Sequence, residues 1–579
     1  MMPTDEVLRE VENLGLFAAP PRVLDEDGSG TKGLEGMVDV EGHKVTLRVV
    51  LDGSFPLTLP HFVLRPWDAL GFIPHVDPRG VVCFADPEGL VLDRHRPVEI
   101  VRDAFHRAVA VLRDGVTGTN QRDFANEFEV YWRHLPGCVT ALSVLDPSDR
   151  VGPVVVAFAG DGLIGIARDE QDLFSLFGGQ RVDATIRTRK ALYVPLVAGA
   201  IITPPRPDCS FWNAADVRRA LLPTVSAANM ARLRKLTKGQ PPSRVCVVFK
   251  LPRPLGGESL FGICYDQTGA RHPLLEGGSA GALTPVAVQR LDRSYLIQRG
   301  GGQTTLARKR VLLAGCGALG GHLAFELVRA GILDLTLVDC DHLVPDNSFR
   351  HVLGRAYWGM PKARAVKSAL EMQLPYTHVT AIVDTLNAAL TRGTVNLSEY
   401  DLVILALGNP TVELDINERL HALRRHTLGM MTWLEPLGIG GHALLTGNQR
   451  GRGCFECLYT LPQDDDGPLY NRAAFAAPGQ FFGRALSGCG SLHTPYGSVD
   501  ALRTAALAAR LAIDALLGRE TYNPLLSWKG DATAYEAEGY RLSNRYSWTE
   551  TELFRQRYSY SSAYCRVCGG FSDRLGLRV

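Results

Sequence analysis

The chain has 579 residues, 62 basic against 61 acidic, for a formal net charge of +1. At that length one hydrophobic core does not suffice and three or four domains are expected; the balanced charge excludes the basic field of a nucleic-acid or membrane-surface binder. No apolar run has the length of a membrane span, and twelve cysteines in 579 residues are too sparse for a disulfide framework, so clustered ones point to metal or catalysis.

The first expected domain covers residues 1–135. The acidic amphipathic pattern at its start predicts a helix over Asp5–Leu14 and lacks the basic start and apolar core of a signal peptide, so a cytoplasmic location is expected. HKVTLRVVL alternates as a strand does. SFPLTLPHFVLRP crosses with three prolines, HVDPRGVVCF carries Cys83, and PVEIVRDAFHRAVAVLRDG reads as a helix, giving an α+β pattern. Residues 136–300 form an α/β linker or scaffold domain. VGPVVVAFAG, ALYVPLVAGAIITPP and SRVCVVFKLP read as strands, AADVRRALLPTVSAANMARLRKL is helical, and nothing there has catalytic spacing. Gly277–Leu283 is a loop, and the glycines at 300–302 are a hinge. Residues 301–579 then alternate strand and helix. Strands are expected at Val311–Ala314, Leu335–Asp339, His378–Val383 and Asp401–Ala406, with helices at Gly320–Ala330 and Lys362–Glu371, in a largely parallel sheet.

Gly315, Gly317 and Gly320 form G-x-G-x-x-G between a strand and a helix, where backbone can approach phosphate and the helix N-terminus supplies donors. Asp339 closes the next strand, where a carboxylate accepts ribose hydroxyls. Alone, this fingerprint favours a dinucleotide dehydrogenase. Asn347, Arg350 and Lys362 follow within 25 residues of Asp339. They suit triphosphate oxygens and charge building at an α-phosphate, which a dehydrogenase does not need.

Cysteines mark three further places. Cys454 and Cys457 in GRGCFECL, with Cys565 and Cys568 in AYCRVCGG, supply four thiolates for a closed tetrahedral zinc site tying the tail back to the domain; a redox pair is the alternative. Cys489 lies in a Gly- and Ser-rich loop before a long helix, where a thiolate can be activated, although free cysteines more commonly pack in cores. Cys83 alone reads as an ordinary strand cysteine.

Together, the strand, G-x-G-x-x-G, D-x-D, N-x-x-R-H and G-x-x-K-A pattern resembles the ThiF/MoeB/E1 adenylation family. That resemblance implies a Rossmann-like domain in which Asp339 binds ribose while Asn347, Arg350 and Lys362 handle the phosphates of ATP. It implies Mg2+ as well, normally held by an aspartate in a T-D-N-like turn. Here that turn carries Gly408 and Asn409, so Asp341 or Asp415 is expected to substitute. The family often sends an arginine into a partner subunit's site; Arg293 and Arg299 are the candidates, and a homodimer through this domain is expected. MoeB-like proteins carry the same two C-x-x-C pairs, and E1-like relatives form a thioester on a crossover-loop cysteine, here Cys489.

The first 135 residues resemble a ubiquitin-conjugating E2 domain, with a P-x-x-x-P crossing, a histidine turn and G-x-x-C at Gly80–Cys83. Cys83 is then catalytic. The usual H-P-N tripeptide is altered to His75-Val76-Asp77. An ionised Asp77 cannot donate to an oxyanion and is expected to orient or deprotonate an acceptor lysine. As a whole the chain resembles the E2–E1 fusion proteins of bacterial CBASS anti-phage operons, to which EPLGIGGHALLTG and GCGSLHTPYGSVDA also fit. The implied reaction adenylates a partner's C-terminal glycine, forms a thioester on Cys489, passes the acyl group to Cys83 and delivers it to a target lysine. The implied partner is a cGAS-like nucleotidyltransferase or a ubiquitin-like protein. A sulfur-carrier adenylyltransferase, an NAD-dependent oxidoreductase and a non-enzymatic scaffold are the alternatives.

Overall fold

The computed structural model describes residues 3–25, 32–160, 162–176, 186–206, 208, 211–424, 426–448, 452–460, 469–485 and 492–569. Two compact units divide the chain, Met1–Asp292 and Arg293–Val579.

The first unit begins with a helix at Thr4–Asn13 that buries Val7, Leu8 and Val11, one face of a 3.6-residue period. An antiparallel meander follows: β1 (Arg22–Asp25), β2 (Lys32–Val40), β3 (His43–Leu51) and β4 (His61–Arg65). Val45, Leu47, Val49 and Leu51 alternate inward along β3, as the period of two requires. The helix Pro97–Thr117 packs there through Ile100, Val101, Ala104, Phe105, Ala108 and Leu112. Pro97 suits its first turn, and Gly118 at φ 75° stops it in the left-handed conformation.

The strands of the middle segment close into a barrel: β5 (Val139–Ser143), β6 (Gly152–Ala159), β7 (Gly162–Ala167), β8 (Ile186–Pro195), β9 (Arg244–Pro252), β10 (Glu258–Thr268) and β11 (Ala280–Arg290), ordered β10-β11-β5-β7-β6-β8-β9. All seven contribute to one cluster that includes Ala141, Val156, Ile166, Tyr193, Val248, Leu260 and Val286. The alternate side chains of β9 and β10, among them Phe249 and Phe261, join a second cluster with Trp132 and the helices Ala214–Leu221 and Ala227–Leu236. Barrel closure goes beyond the sequence expectation, because short apolar runs do not reveal which strands pair. So does a disulfide: Cys246 and Cys264 sit opposite each other on β9 and β10 with Cα atoms 4.2 Å apart and are bonded.

The second unit is doubly wound. β12 (Arg310–Ala314), β13 (Asp334–Val338), β14 (His378–Ile382), β15 (Leu402–Leu405) and β16 (Leu428–Leu434) are parallel. β17 (Gly440–Thr446) and, beyond a short pair β18 (Arg484–Ala485) and β19 (Leu492–His493), β20 (Leu525–Lys529) extend the sheet antiparallel, in the order β14-β13-β12-β15-β16-β17-β20. The strand order reverses between β12 and β15, the place where open α/β sheets bind ligands beyond their strand ends. The helices Ala318–Arg329, Lys362–Gln373 and Ser498–Leu516 bury Leu323, Leu327, Val366, Leu370, Ala505 and Ala512 in one core with the sheet.

The glycines at 300–302 differ from the slack hinge expected. Gly300 N donates to Leu296 O at 3.0 Å, Gly301 N to Gln298 O at 3.0 Å and Gly302 N to Ile297 O at 2.8 Å, so the run caps the helix Arg293–Arg299. No helix among the described residues is long and apolar enough to cross a membrane.

Candidate active sites

In the second unit a cavity of about 720 Å³ opens where the strand order reverses, lined by Gly315, Gly317, Asp339, Asp341, Arg350 and Lys362 among others. The glycines fit by subtraction. A Cβ on Gly315, at φ +92°, would stand 2.4 Å from Ala406 O, and one on Gly320 would stand 1.8 Å from Gly315 O; neither position admits a side chain. Gly317 caps the helix Ala318–Arg329 and lines the cavity. Asp339 lies just past β13. Its Oδ2 accepts the Cys316 N–H at 2.6 Å and its Oδ1 the Asp341 N–H at 2.8 Å, which fixes the carboxylate at the glycine turn. Lys362 opens its helix with Nζ 2.9 Å from Asp341 Oδ2. Arg350 lies over the Tyr496 ring at 5.5 Å.

His351 connects these pieces. Its Nδ1 accepts the Leu353 N–H at 3.0 Å, so Nε2 carries the proton and donates to Cys316 O at 2.8 Å. Burial lowers its pKa, which keeps that neutral tautomer. The N-x-x-R-H segment thereby clamps the glycine turn. Asn347 is not among the residues lining the cavity. Its Oδ1 accepts the Val344 N–H at 3.3 Å, and its carbonyl accepts from the Arg350 and His351 N–H groups, so it shapes the loop that presents Arg350.

The expected magnesium position is altered as the sequence indicates. Gly408, at φ +62°, and Asn409 line the cavity, and Asn409 Oδ1 caps the helix Pro410–His421 through the Val412 N–H at 3.3 Å. Asp415 lies outside the cavity lining, paired with Arg419 at 3.0 Å. The carboxylates that line the cavity are Asp339, Asp341 and Asp384. The first is held by backbone N–H groups, the second by Lys362 and the third by Arg392. Asp339 and Asp341, with Cys340, bring ligand atoms within 4.8 Å of one another, so Asp341 stays the candidate metal ligand. Beneath the Gly408 loop, buried Glu413 accepts the Leu407 N–H at 3.1 Å, and burial pushes its carboxyl up to about 7. Arg293 and Arg299 sit exposed at the two ends of one short helix, away from the cavity lining.

The four zinc-candidate thiols converge. Cys454, Cys457, Cys565 and Cys568 have their sulfurs within 4.8 Å of one another, with Cys454–Cys565 at 3.7 Å and Cys457–Cys568 at 3.3 Å. A tetrahedral Zn–S4 centre needs sulfur separations of about 3.8 Å. Asn417 Nδ2 donates to Cys454 Sγ at 3.6 Å, the outer support a thiolate ligand takes. The donor set fits zinc in a closed, structural site. Cys489 lies outside the described residues; His493, Thr494 and Tyr496, shortly after it, line the cavity at the glycine turn.

In the first unit Cys83 is exposed, and its N–H donates to His75 O at 2.8 Å. His75 has φ 67°, uncommon for a residue with a side chain. Its N–H donates to the Tyr131 hydroxyl at 2.8 Å. Its ring lies between two carboxylates: Nε2 is 3.0 Å from Asp123 Oδ2, and Nδ1 is 2.7 Å from Glu127 Oε1, an ion-pair distance without hydrogen-bond alignment. The neighbouring Cys83 sulfur and then the two carboxylates push its pKa up to about 11, against burial. Asp77 serves its own turn: Oδ1 accepts the Arg79 and Val81 N–H groups at 2.9 Å, and Oδ2 pairs with the Arg79 guanidinium.

Asp123, Glu127 and Tyr131 were not singled out from sequence. Their spacing of four, in RDFANEFEVYWR, is the signal that could have found them. Asp384, Trp433 and Tyr496 in the cavity at the glycine turn carry no such signal.

Comparison with known families and proteins matches residues 291–529 to the ThiF family and residues 22–136 to prokaryotic E2 family B. The chain is 28% identical to the ATP-dependent ubiquitin transferase-like protein Cap2 of Pseudomonas aeruginosa, over 83% of this chain and 86% of that protein. It is 30% identical to the Vibrio cholerae protein of the same name, over 40% of each. The molybdopterin-synthase adenylyltransferase of Escherichia coli is 29% identical over 28% of this chain and 62% of its own. Among solved structures, Escherichia coli MccB aligns with 48% of this chain and 68% of its own at 18% identity and a TM-score of 0.33.

Proposed function

The chain is a bacterial E2–E1 fusion, an ATP-dependent activating and conjugating enzyme, and we propose that it joins the C-terminal glycine of a partner protein to a target lysine by way of two of its own cysteines. The carrying observation is that one chain holds both a nucleotide cavity furnished with Asp339, Arg350 and Lys362 and an exposed E2-type cysteine, Cys83.

In this reading the partner's carboxylate attacks the α-phosphorus of ATP, and pyrophosphate leaves. Backbone at Gly315–Gly317, with Arg350 and Lys362, offsets the charge that builds there. Asp339 takes the ribose hydroxyls. Mg2+, if bound, would be held at Asp341 and would offset the charge of the triphosphate oxygens. Cys489 then displaces AMP to form a thioester, Cys83 takes the acyl group in a second exchange, and a lysine amine converts it to an amide. Each acyl carrier keeps the carbonyl electrophilic, and carrying both cysteines on one chain raises their effective concentration. Zinc stabilises the fold when bound, and the four thiolates of Cys454, Cys457, Cys565 and Cys568 leave it no open position for chemistry. The E1-like domain pairs with a second copy, to which Arg293 or Arg299 reaches. The partner in this reading is a cGAS-like nucleotidyltransferase of a CBASS operon, as the resemblance of EPLGIGGHALLTG and GCGSLHTPYGSVDA to that group of fusions implies, in a cytoplasmic anti-phage response. A ubiquitin-like protein is the second candidate, and a sulfur-carrier protein the third.

The test incubates the full chain with ATP and each candidate partner. A thiol-sensitive adduct is expected, lost in Cys489→Ala; Cys83→Ala keeps that adduct and forms no amide. A Cys83→Ala chain that conjugates normally refutes the relay. Activation with only the sulfur-carrier protein, untouched by Cys83→Ala, establishes the third reading.

A further inference from the structure

The altered H-P-N turn leaves a chemical gap. An oxyanion-donating asparagine is missing, and Asp77, occupied by Arg79 and Val81, cannot replace it. The cluster around His75 offers a different device. A His75 ring nitrogen, Cys83 Sγ and a Glu127 carboxylate oxygen lie within 4.8 Å of one another. Both ring nitrogens face carboxylates, Nε2 at Asp123 and Nδ1 at Glu127. With one carboxylate hydrogen-bonded to Nε2 and a second at ion-pair distance from Nδ1, the ring is favoured as the cation. Its pKa, pushed up to about 11, agrees. A histidine held in that state cannot act as a general base near neutrality.

We propose that His75, held as a cation between Asp123 and Glu127, is the positive partner of the Cys83 sulfur in acyl transfer and stabilises the sulfur anion that leaves when the amide forms. The step balances without a further reactant. The free acceptor amine attacks the thioester carbonyl carbon, the C–N bond forms and the C–S bond breaks. The electron pair stays on Cys83 Sγ beside the imidazolium, and the surplus amine proton passes to water. In the preceding exchange the same cation favours Cys83 as the attacking sulfur anion. The titratable groups facing the imidazole are Cys83 beyond its own turn and Asp123, Glu127 and Tyr131 from residues 123–131.

Asp123, Glu127 and Tyr131 are positioning residues. The Tyr131 hydroxyl accepts the His75 N–H and donates to Glu127 Oε2 at 3.3 Å, so one side chain holds both the strained backbone and a clamping carboxylate. Left-handed backbone at a non-glycine residue is strained and persists where its surroundings over-determine it. Here those surroundings extend to the barrel. Phe128 and Trp132 pack tilted against Phe261, each with ring centroids 4.6 Å apart, Trp132 Nε1 donates to Val286 O at 3.1 Å, and Glu129 Oε1 accepts the Leu260 N–H at 3.0 Å. The segment carrying the clamp is thus seated on β10 and β11, which gives residues 136–300 a place in the chemistry of Cys83.

This inference takes from the relay only that Cys83 carries the acyl group, and its test needs neither ATP nor a partner. Iodoacetamide alkylation of Cys83 in the full chain is followed by peptide mass spectrometry from pH 5.5 to 9. Below neutrality, His75→Gln is expected to slow alkylation about tenfold or more, and Glu127→Gln with Asp123→Asn to slow it in the same direction. Glu127→Asp, which keeps the charge, is expected to restore most of the rate, an outcome a purely structural role does not produce. Circular dichroism confirms that each variant is folded. A His75→Gln chain, folded, whose Cys83 alkylates with the parent's rate and pH dependence overturns the proposal. The conjugation assay with Cys83→Ala decides the relay separately.

Discussion

Glu413→Gln is expected to stabilise the second unit at alkaline pH and leave it nearly unchanged in acid. Glu413 is 2% exposed, and burial raises its carboxyl from 4.5 to about 7 even though the Leu407 and Gly408 N–H groups favour the anion. An acid whose folded pKa lies above its unfolded value binds more protons in the native state between the two. Stability therefore falls as pH rises from about 4.5 to 7 and stays low above. The interval corresponds to about 3 kcal/mol. Gln keeps the carbonyl oxygen that accepts from Leu407 at 3.1 Å and removes the ionisation. Chemical denaturation of parent and variant side by side, followed by tryptophan fluorescence, should give the variant an advantage approaching about 3 kcal/mol at pH 8 and near zero at pH 4.5. Equal effects at both pH values, or a variant less stable at pH 8, would mean that Glu413 is not held against its ionisation. ATP binding supplies a second readout, since Leu407 and Gly408 line the cavity and Glu413 supports them from below.

Lys362→Met should lower ATP–pyrophosphate exchange about a hundredfold through loss of one charged donor, with the thermal transition kept; exchange within threefold of the parent counts against Lys362 as a phosphate ligand. Purified protein should contain one zinc per chain by elemental analysis. Cys565→Ser should lose it and raise hydrogen exchange over the segment that ends at Cys568, and a full metal content in that variant refutes the four-thiolate centre. Trp132→Ala removes a fully buried ring and its bond to Val286, for about 3–5 kcal/mol, and should slow Cys83 alkylation while sparing ATP–pyrophosphate exchange. Parent-like alkylation there would detach the barrel from the His75 clamp.

The sequence by itself determined the local parts whose chemistry is written in adjacent residues. The glycine turn, Asp339 after β13, Lys362 at its helix start and the two C-x-x-C pairs fall where a strand-and-helix pattern requires them. In residues 301–579 the helix and strand limits differ from expectation by only a residue or two, because periodicity and terminators are local properties; in the middle segment the strand expected over residues 191–205 runs instead over Ile186–Pro195, and the loop expected at Gly277–Leu283 enters β11 at Ala280. Tertiary structure alone decided the relations between distant residues. Closure of seven strands into a barrel, the opposition of Cys246 and Cys264, and the removal of Asn347 from the cavity to the loop beneath Arg350 all depend on pairing that no spacing encodes. The same holds at Cys83. The His75 turn is legible in sequence, but the two carboxylates that fix the charge of His75 arrive from residues 48 and 52 positions further on. Electrostatic state follows distance in space, and the fold brings Asp123 and Glu127 to within 3.0 Å of that ring.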